Sequence, residues 1–181
     1  MVAIGPTLTT ARLVLRPPTQ DDFPAFAAMM ANADHVKFIG GALPEAMAWR
    51  QLAAITGAWS LRGFSMFSVL ERDTGLWVGR IGPWMPQGWP GMEVGWGLAP
   101  AAMGKGYGVE AATACMDWVV DHLGWTDIIH IIDPANTPSE QLAARLGSTN
   151  LGPTRMPEPM HELQVNAWGQ SAQQWRARRA V

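Results

Sequence analysis

Lysine is almost missing from this chain of 181 residues: only Lys37 and Lys105 occur, and 13 Lys+Arg against 15 Asp+Glu leave a formal net charge of -2. Without a cationic surplus there is no field to gather DNA or RNA, so nucleic acid is not an expected partner. Cysteine is reduced to Cys115, which excludes an internal disulfide framework and a cysteine-rich zinc site and fits a reducing compartment. His35, His122, His130 and His161 have no metal-ligand spacing, so no metal is expected. No stretch reaches the roughly 18 apolar residues of a membrane span, and the opening MVAIGPTLTTARLVLRP lacks a basic segment followed by an apolar run. The expectation is a cytoplasmic protein with no membrane partner. Tyrosine is down to Tyr107, whereas the ten tryptophans are many for this length and belong in a core or in pocket walls.

What is present reads as strands alternating with helices in one domain over residues 1–181, with a core of about 10–166 and a polar tail over 167–181. RLVLRP (12–17) alternates like a half-buried strand, and the Thr, Asp, Asp cluster after it suits the cap of a helix at about 21–31. A second helix spans about 44–61, between Pro44 and Gly63. FSMFSVLER (64–72), GLWVGRIGPWM (75–85) and GMEVGWGLA (91–99) are strands joined by short turns, which favours an antiparallel meander. GVEAATACMDWVVDHLG then forms an amphipathic helix, with Val109, Ala112, Met116 and Val119 on one face and Glu110, Asp117 and Asp121 on another. TDIIHIID is a strand, NTPSEQLAARLG a short capped helix, and HELQVN (161–166) a last strand. The order is β, α, α, β, β, β, α, β, α, β, β: an α/β (α+β) chain with a mixed, mostly antiparallel central sheet of about seven strands flanked by helices.

The residues that carry chemistry lie in APAAMGKGYGVEAA (99–112). Gly104, Gly106 and Gly108 expose successive backbone N–H groups just where a helix presents its own unpaired N–H groups and the positive end of its dipole. Lys105 adds a point charge, and the stretch reads as a cradle for a phosphate. Glu110 opposes an anion there unless it points away. Lys105 is followed by Gly106 where a nucleoside-triphosphate loop of the usual kind requires Ser or Thr, so that class is excluded. GYGVEA (106–111) does fit a dinucleotide fingerprint, with Asp133 lying 22 residues past Ala111. Against that reading, APAAM intervenes between strand and glycines, and too little chain remains after Asp133 for the rest of a dinucleotide-binding sheet.

MEVGWGLAPAAMGKGYGVEA, followed by DPANTPSEQLAARLG, resembles the GNAT superfamily of acyl-CoA-dependent N-acetyltransferases, and ARLVLRPPTQDDFPAF resembles the opening of its RimJ/RimL-like branch. The resemblance covers roughly residues 10–166. It implies a CoA pyrophosphate loop over Met103, Gly104, Lys105, Gly106, Tyr107 and Gly108, in which Met103 departs from the usual Gln or Arg. It implies that Asn136 and Ser139 contact the pantetheine end of CoA, and that the strand EVGWGL splays from its neighbour so that the main chain of Trp96, Gly97 and Leu98 faces the thioester. An N–H near Leu98 is then the oxyanion donor. Glu93 is the candidate base that deprotonates the amine, a smaller task for an α-amino group with a pKa near 8 than for a lysine near 10.4. The tyrosine with which many members protonate the thiolate falls on Ala143, which leaves Ser139 or water for that step. The usual Gly-Phe after this helix is Gly147-Ser148. The function implied is transfer of an acetyl group from acetyl-CoA, with no metal, to a primary amine of a protein N-terminus or a small molecule, with a homodimer as the expected assembly. A non-catalytic acyl-CoA-binding module on the same fold is the rival reading. His161 is a weaker candidate for the acceptor site, as are Trp49, Trp59, Trp84 and Trp89. The acceptor pocket is expected from residues 32–66 and 150–162.

Overall fold

In the computed structural model, which describes residues 4–180, the chain runs β1 (Leu8–Thr9), β2 (Leu13–Arg16), α1 (Phe23–Met30), α2 (Ala33–Val36), α3 (Glu45–Arg62), β3 (Phe67–Glu71), β4 (Trp77–Trp84), β5 (Glu93–Leu98), α4 (Tyr107–His122), β6 (Asp127–Ile132), α5 (Thr137–Leu146), β7 (Thr149–Thr154), β8 (Val165–Ser171) and α6 (Ala172–Arg179). The Thr19–Asp22 cluster starts α1 as expected. The buried Asp22 carboxylate accepts from Thr19 N, from both terminal nitrogens of Arg16 and from Ser68 Oγ, each at 2.8 Å, so burying this charge leaves none of its oxygens unpaired. That single residue ties the helix start to β2 and β3.

The eight strands form one sheet in the order β1-β2-β3-β4-β5-β6-β8-β7. Every neighbouring pair is antiparallel except β5 and β6, which are parallel. With a single parallel pair, the sheet is not the parallel array that a dinucleotide fold requires. Two apolar clusters hold the helices to the sheet. In the larger, Ala111, Ala112, Cys115, Met116, Val119 and Val120 of α4 pack on Leu13, Leu15, Phe67, Val69, Ile81 and Val94. In the second, Phe26, Met30, Val36, Leu52 and Ile55 of α1 to α3 close around Met66 and Trp77.

The mixed, mostly antiparallel sheet is as expected, with the two-residue β1 added at its edge as an eighth strand. Two expectations need correction. The last strand is not 161–166: residues 161–164 lie in and after a turn, and β8 begins at Val165. The core does not stop at 166: the first residues of the tail belong to β8, which sits inside the sheet between β6 and β7, and residues 172–179 form the helix α6. Polar VNAWGQS conceals a strand because its ladder bonds are independent of side-chain type. Its buried Gln170 is satisfied by donating to Leu146 O at 3.0 Å and Ser148 Oγ at 2.9 Å.

Candidate active site

The register around β5 creates the site. Ala99 N donates to Val78 O at 2.8 Å, so the antiparallel alternation turns the main-chain groups of Gly95 and Gly97 toward β4 and those of Val94, Trp96 and Leu98 away from it. Pro83, which has no N–H, lies opposite Val94, at a position where the ladder needs no donor. On the far side, β5 and β6 share one register pair, Glu93 with Ile129, and Ile129 N donates to Met92 O at 2.9 Å. The next bond of a continued ladder would join Ile131 N to Val94 O, and both groups are taken by side chains instead. Glu93 Oε1 accepts from Ile131 N at 3.2 Å, and His130 Nδ1 donates to Val94 O at 2.7 Å. These two side chains stop the ladder, and the edge of β5 from Trp96 to Leu98 is left without a strand partner, as the splay requires.

The gap opens onto a cavity of ≈330 Å³ lined in part by Glu93, Trp96, Asn136 and Ser139, four of the residues expected in the site. Its other walls include Ile39, Ile55, Met156 and Met160 from the two segments expected to build the acceptor pocket, together with Trp84 and Trp89. Glu93 is 7% exposed, and its second oxygen accepts from Trp89 Nε1 at 2.6 Å. Burial pushes its carboxyl up to about 7, against the opposing pull of the Ile131 and Trp89 hydrogen bonds and the Arg80 charge. Arg80 is the wall residue that sequence reasoning missed. Desolvation lowers its guanidinium to about 10, its Nη1 donates to Met66 Sδ at 2.6 Å, and its buried Nε has no partner.

Asn136 caps α5, accepting from Ser139 N at 3.3 Å through Oδ1, which leaves its NH2 free to donate. Ser139 Oγ accepts from Trp96 Nε1 at 3.1 Å, so its own O–H is also free. Ala143 is fully buried and offers no acid. His130 is a core residue held at both nitrogens. Val94 O can only accept, so Nδ1 carries the proton and Nε2 accepts from Ser148 Oγ at 3.0 Å. Burial lowers its pKa to about 4, partly offset by the bond to Val94 O. Ser148 therefore fills its position with a polar chain from Gln170 through His130 to the edge of the splay.

The glycine loop lies at the other end of β5. Gly104 and Gly106 have φ of +75° and +80°, in the left-handed region that glycine tolerates, and Gly106 caps α4. Glu110 N to Gly106 O, at 3.2 Å, is the first bond of α4, so the preceding N–H groups have no partner within the helix. Glu110 does not face an anion. It accepts from Thr10 Oγ1 at 2.6 Å and from Arg12 N and Nε at 2.8 and 2.7 Å, and these contacts outweigh its burial and hold its carboxyl below the usual range. Arg12 also donates to Lys105 O at 2.9 Å, while Tyr107 donates its hydroxyl to Glu71 at 2.7 Å, with Lys105 Nζ 3.7 Å from the same oxygen. The Met103 side chain is 49% exposed and does not line the cavity.

An open strand edge running from a buried carboxylate to a cluster of N–H groups at a helix start is what an acyl-CoA-dependent transferase needs, and the family comparison agrees. Residues 12–149 match the acetyltransferase (GNAT) domain. The chain belongs to the GNAT acetyltransferase family. An acetyltransferase structure from Agrobacterium tumefaciens is similar at 29% identity, with a TM-score of 0.81 over 91% of this chain and 94% of that one. YkkB of Bacillus subtilis is 31% identical over 87 residues, 47% of this chain; the match spans about half of that relative's length, 51%. RimL, a ribosomal L7/L12 α-N-protein acetyltransferase solved with coenzyme A, shares the fold with a TM-score of 0.75 over 92% of this chain and 98% of its own, at 14% identity.

The remaining candidates separate cleanly in this GNAT domain. Trp84 and Trp89 line the cavity; Trp59 is buried in the core, and Trp49 is 45% exposed, edge-on to Phe23. His161 pairs with Glu162 at 3.0 Å and is not a lining residue. His35, not singled out for a role, bonds through Nε2 to Leu98 O at 2.6 Å. Among the described residues no cluster of His, Cys, Asp and Glu could hold a metal, and no helix is long and apolar enough to cross a membrane.

Proposed function

We propose that the protein carries an acetyl group from acetyl-CoA to a primary amine, a peptide α-amine or a small-molecule amine, by direct attack in a ternary complex. The observation that carries this reading is the β5 edge left open beyond Glu93, which leads into a cavity holding that buried carboxylate. The pyrophosphate takes the N–H groups of Gly104, Lys105, Gly106, Tyr107 and Gly108. Met103 contributes main chain only. The pantetheine arm lies along Trp96, Gly97 and Leu98, and the free NH2 of Asn136 donates to it.

The oxyanion donor is better assigned to Trp96 N–H than to Leu98 N–H. At about 3.4 Å per residue, Leu98 lies about 17 Å along the strand from Glu93, whereas Trp96 lies about 10 Å away. Trp96 also lines the cavity, and the Leu98 carbonyl is committed to His35. One such donor is worth about 3–4 kcal/mol in acyl transfer. Glu93 removes the amine proton, directly or through water. Ser139, with its hydroxyl proton free, serves the thiolate, whose ordinary pKa near 8.5 requires little help. A cytoplasmic location and a homodimer belong to the same proposal, the first supported by the free, buried thiol of Cys115 and the second by analogy with paired domains of this family.

Calorimetric titration with acetyl-CoA, followed by thiol release over an amine panel, tests the reading. The buried Ala143, where many members carry the acid, favours one rival: a non-catalytic acyl-CoA-binding module. Binding with no thiol release on any amine would select that rival.

A further inference from the structure

We propose that the acceptor is an amine that also carries a carboxylate, an apolar α-amino acid, whose carboxylate is taken by Arg80 while its amino group faces Glu93. This rests on the acetyl-transfer reading above and narrows its acceptor.

The cavity lining carries one cationic side chain, Arg80, and two carboxylates, Glu93 and Asp133; Arg80 pairs with neither, and Asp133 Oδ1 accepts from Ala135 N at 2.8 Å. Both Glu93 oxygens are occupied by neutral donors, Trp89 Nε1 and Ile131 N. Arg80 has only a thioether, Met66 Sδ, as a hydrogen-bond partner, and its buried Nε has none. A guanidinium presents five N–H donors in a rigid fork that matches a carboxylate. Leaving such a group short of acceptors in an apolar chamber is costly, and a ligand carboxylate removes that cost. A simple cationic amine satisfies Glu93 and leaves Arg80 as it is. A zwitterion satisfies both.

The floor between Glu93 and Arg80 is bare. Gly97 pairs with Arg80 in the register, and a Cβ there would lie 3.2 Å from Ile39 Cδ1 and 3.9 Å from Arg80 Nε. A Cβ on Gly95 would lie 3.0 Å from Met66 Cε and 3.2 Å from Glu93 Oε1. Side chains on this strip of β5 would fill the space between carboxylate and guanidinium, where the α-carbon of the acceptor belongs. The surrounding wall is aromatic and thioether, with Trp84 and Trp89 edge-to-face at 6.4 Å and Met156 and Met160 nearby, which suits an aromatic or sulfur-bearing side chain.

In the reaction the ammonium gives one proton to Glu93. The neutral nitrogen forms the C–N bond as the C–S bond of acetyl-CoA breaks, and the second nitrogen proton ends on the departing thiolate. The products are the N-acetyl amino acid and CoA.

The test compares thiol release with L-phenylalanine, L-tryptophan and L-methionine against L-phenylalaninamide, 2-phenylethylamine and a Phe-Ala dipeptide, alongside acetyl-CoA binding by calorimetry. The carboxylate-bearing amino acids are expected to exceed the amide and the dipeptide by about 10- to 100-fold in kcat/KM, the range for a hydrogen bond to a charged group. The amide is the less basic amine, so its larger neutral fraction biases the comparison against this result. Arg80→Gln should abolish the preference, and Arg80→Lys should restore part of it. The comparison among acceptors stands on the native protein alone if the variants do not fold. Equal or better turnover of the amide or dipeptide overturns the carboxylate assignment and leaves acetyl transfer intact. Acetyl-CoA binding with no turnover of any amino acid also overturns it. Failure to bind acetyl-CoA overturns both readings.

Discussion

Replacing Glu93 with Gln changes one atom of a side chain that meets two donors, which makes both the rate and the stability consequence calculable. With its carboxyl pushed up to about 7, Glu93 is a base matched to neutral pH. At saturating acetyl-CoA and acceptor, the rate should rise with pH and level off above about 7. Glu93→Gln should lower kcat by about 10²- to 10⁴-fold, the usual worth of a positioned base, and remove that limb of the profile. An acceptor whose own pKa differs should leave the limb in place, which separates the enzyme's ionisation from the amine's. Stability supplies an independent readout. The folded-state pKa lies above the ordinary carboxylate value of 4.5, so the folded protein binds the extra proton between those two values. The contribution is fully present below about 4.5 and is lost as pH rises through about 7, by about 3 kcal/mol in all. Urea unfolding of native protein and Glu93→Gln, compared at about pH 4 and pH 8, should show their difference shifting by that amount. A variant within threefold of native kcat, with an unchanged pH profile, would refute the catalytic role; an unchanged stability difference would refute the buried ionisation.

His130 should move stability the other way. Its pKa is lowered to about 4, so its contribution is present above about 6.5 and lost as pH falls through 4, and replacing it with Gln should flatten that limb of the urea-measured curve. Ser148→Ala removes the donor to His130 Nε2 and the acceptor for Gln170, and should cost about 1–3 kcal/mol by urea unfolding. Gly106→Val places a branched side chain at φ +80°, next to Arg12; it should cost about 1–2 kcal/mol in stability and weaken acetyl-CoA binding, read by calorimetry. Glu110→Gln removes an ion pair whose Arg12 partner is half exposed, so it should change stability by at most about 1 kcal/mol, seen as a small shift in urea midpoint.

Elements with strong local patterning were readable from sequence. The alternation in 12–17, the capping cluster before α1, the glycines flanking α3 and α5 and the apolar face of α4 all act within a few residues, and each element forms where its pattern lies. The left-handed turns of the glycine loop were legible for the same reason, since Gly104 and Gly106 supply the positive φ values before α4; phosphate binding there belongs to the proposed function. What escaped depends on partners distant in sequence. Glu110 looked awkward in isolation, and Thr10 and Arg12, about a hundred residues away, settle where its charge goes. Arg80 drew no reading from the sequence; the available signal was a single charge in a strand, GLWVGRIGPWM, whose other residues are apolar or glycine. The β8 strand was hidden by Asn166 and Gln170; the polarity of Gln170 is absorbed by bonds to Leu146 O of α5 and to Ser148 Oγ rather than to water. The paired role of Glu93 and His130 in ending the β5–β6 ladder depends on a register that no local pattern encodes.

The most direct measurement is acetyl-CoA titration followed by thiol release with a primary amine. We expect saturable binding, thiol released in step with N-acetylated amine, and loss of affinity in Gly106→Val. Absence of binding at millimolar acetyl-CoA would contradict the assignment of the loop and of the open β5 edge together.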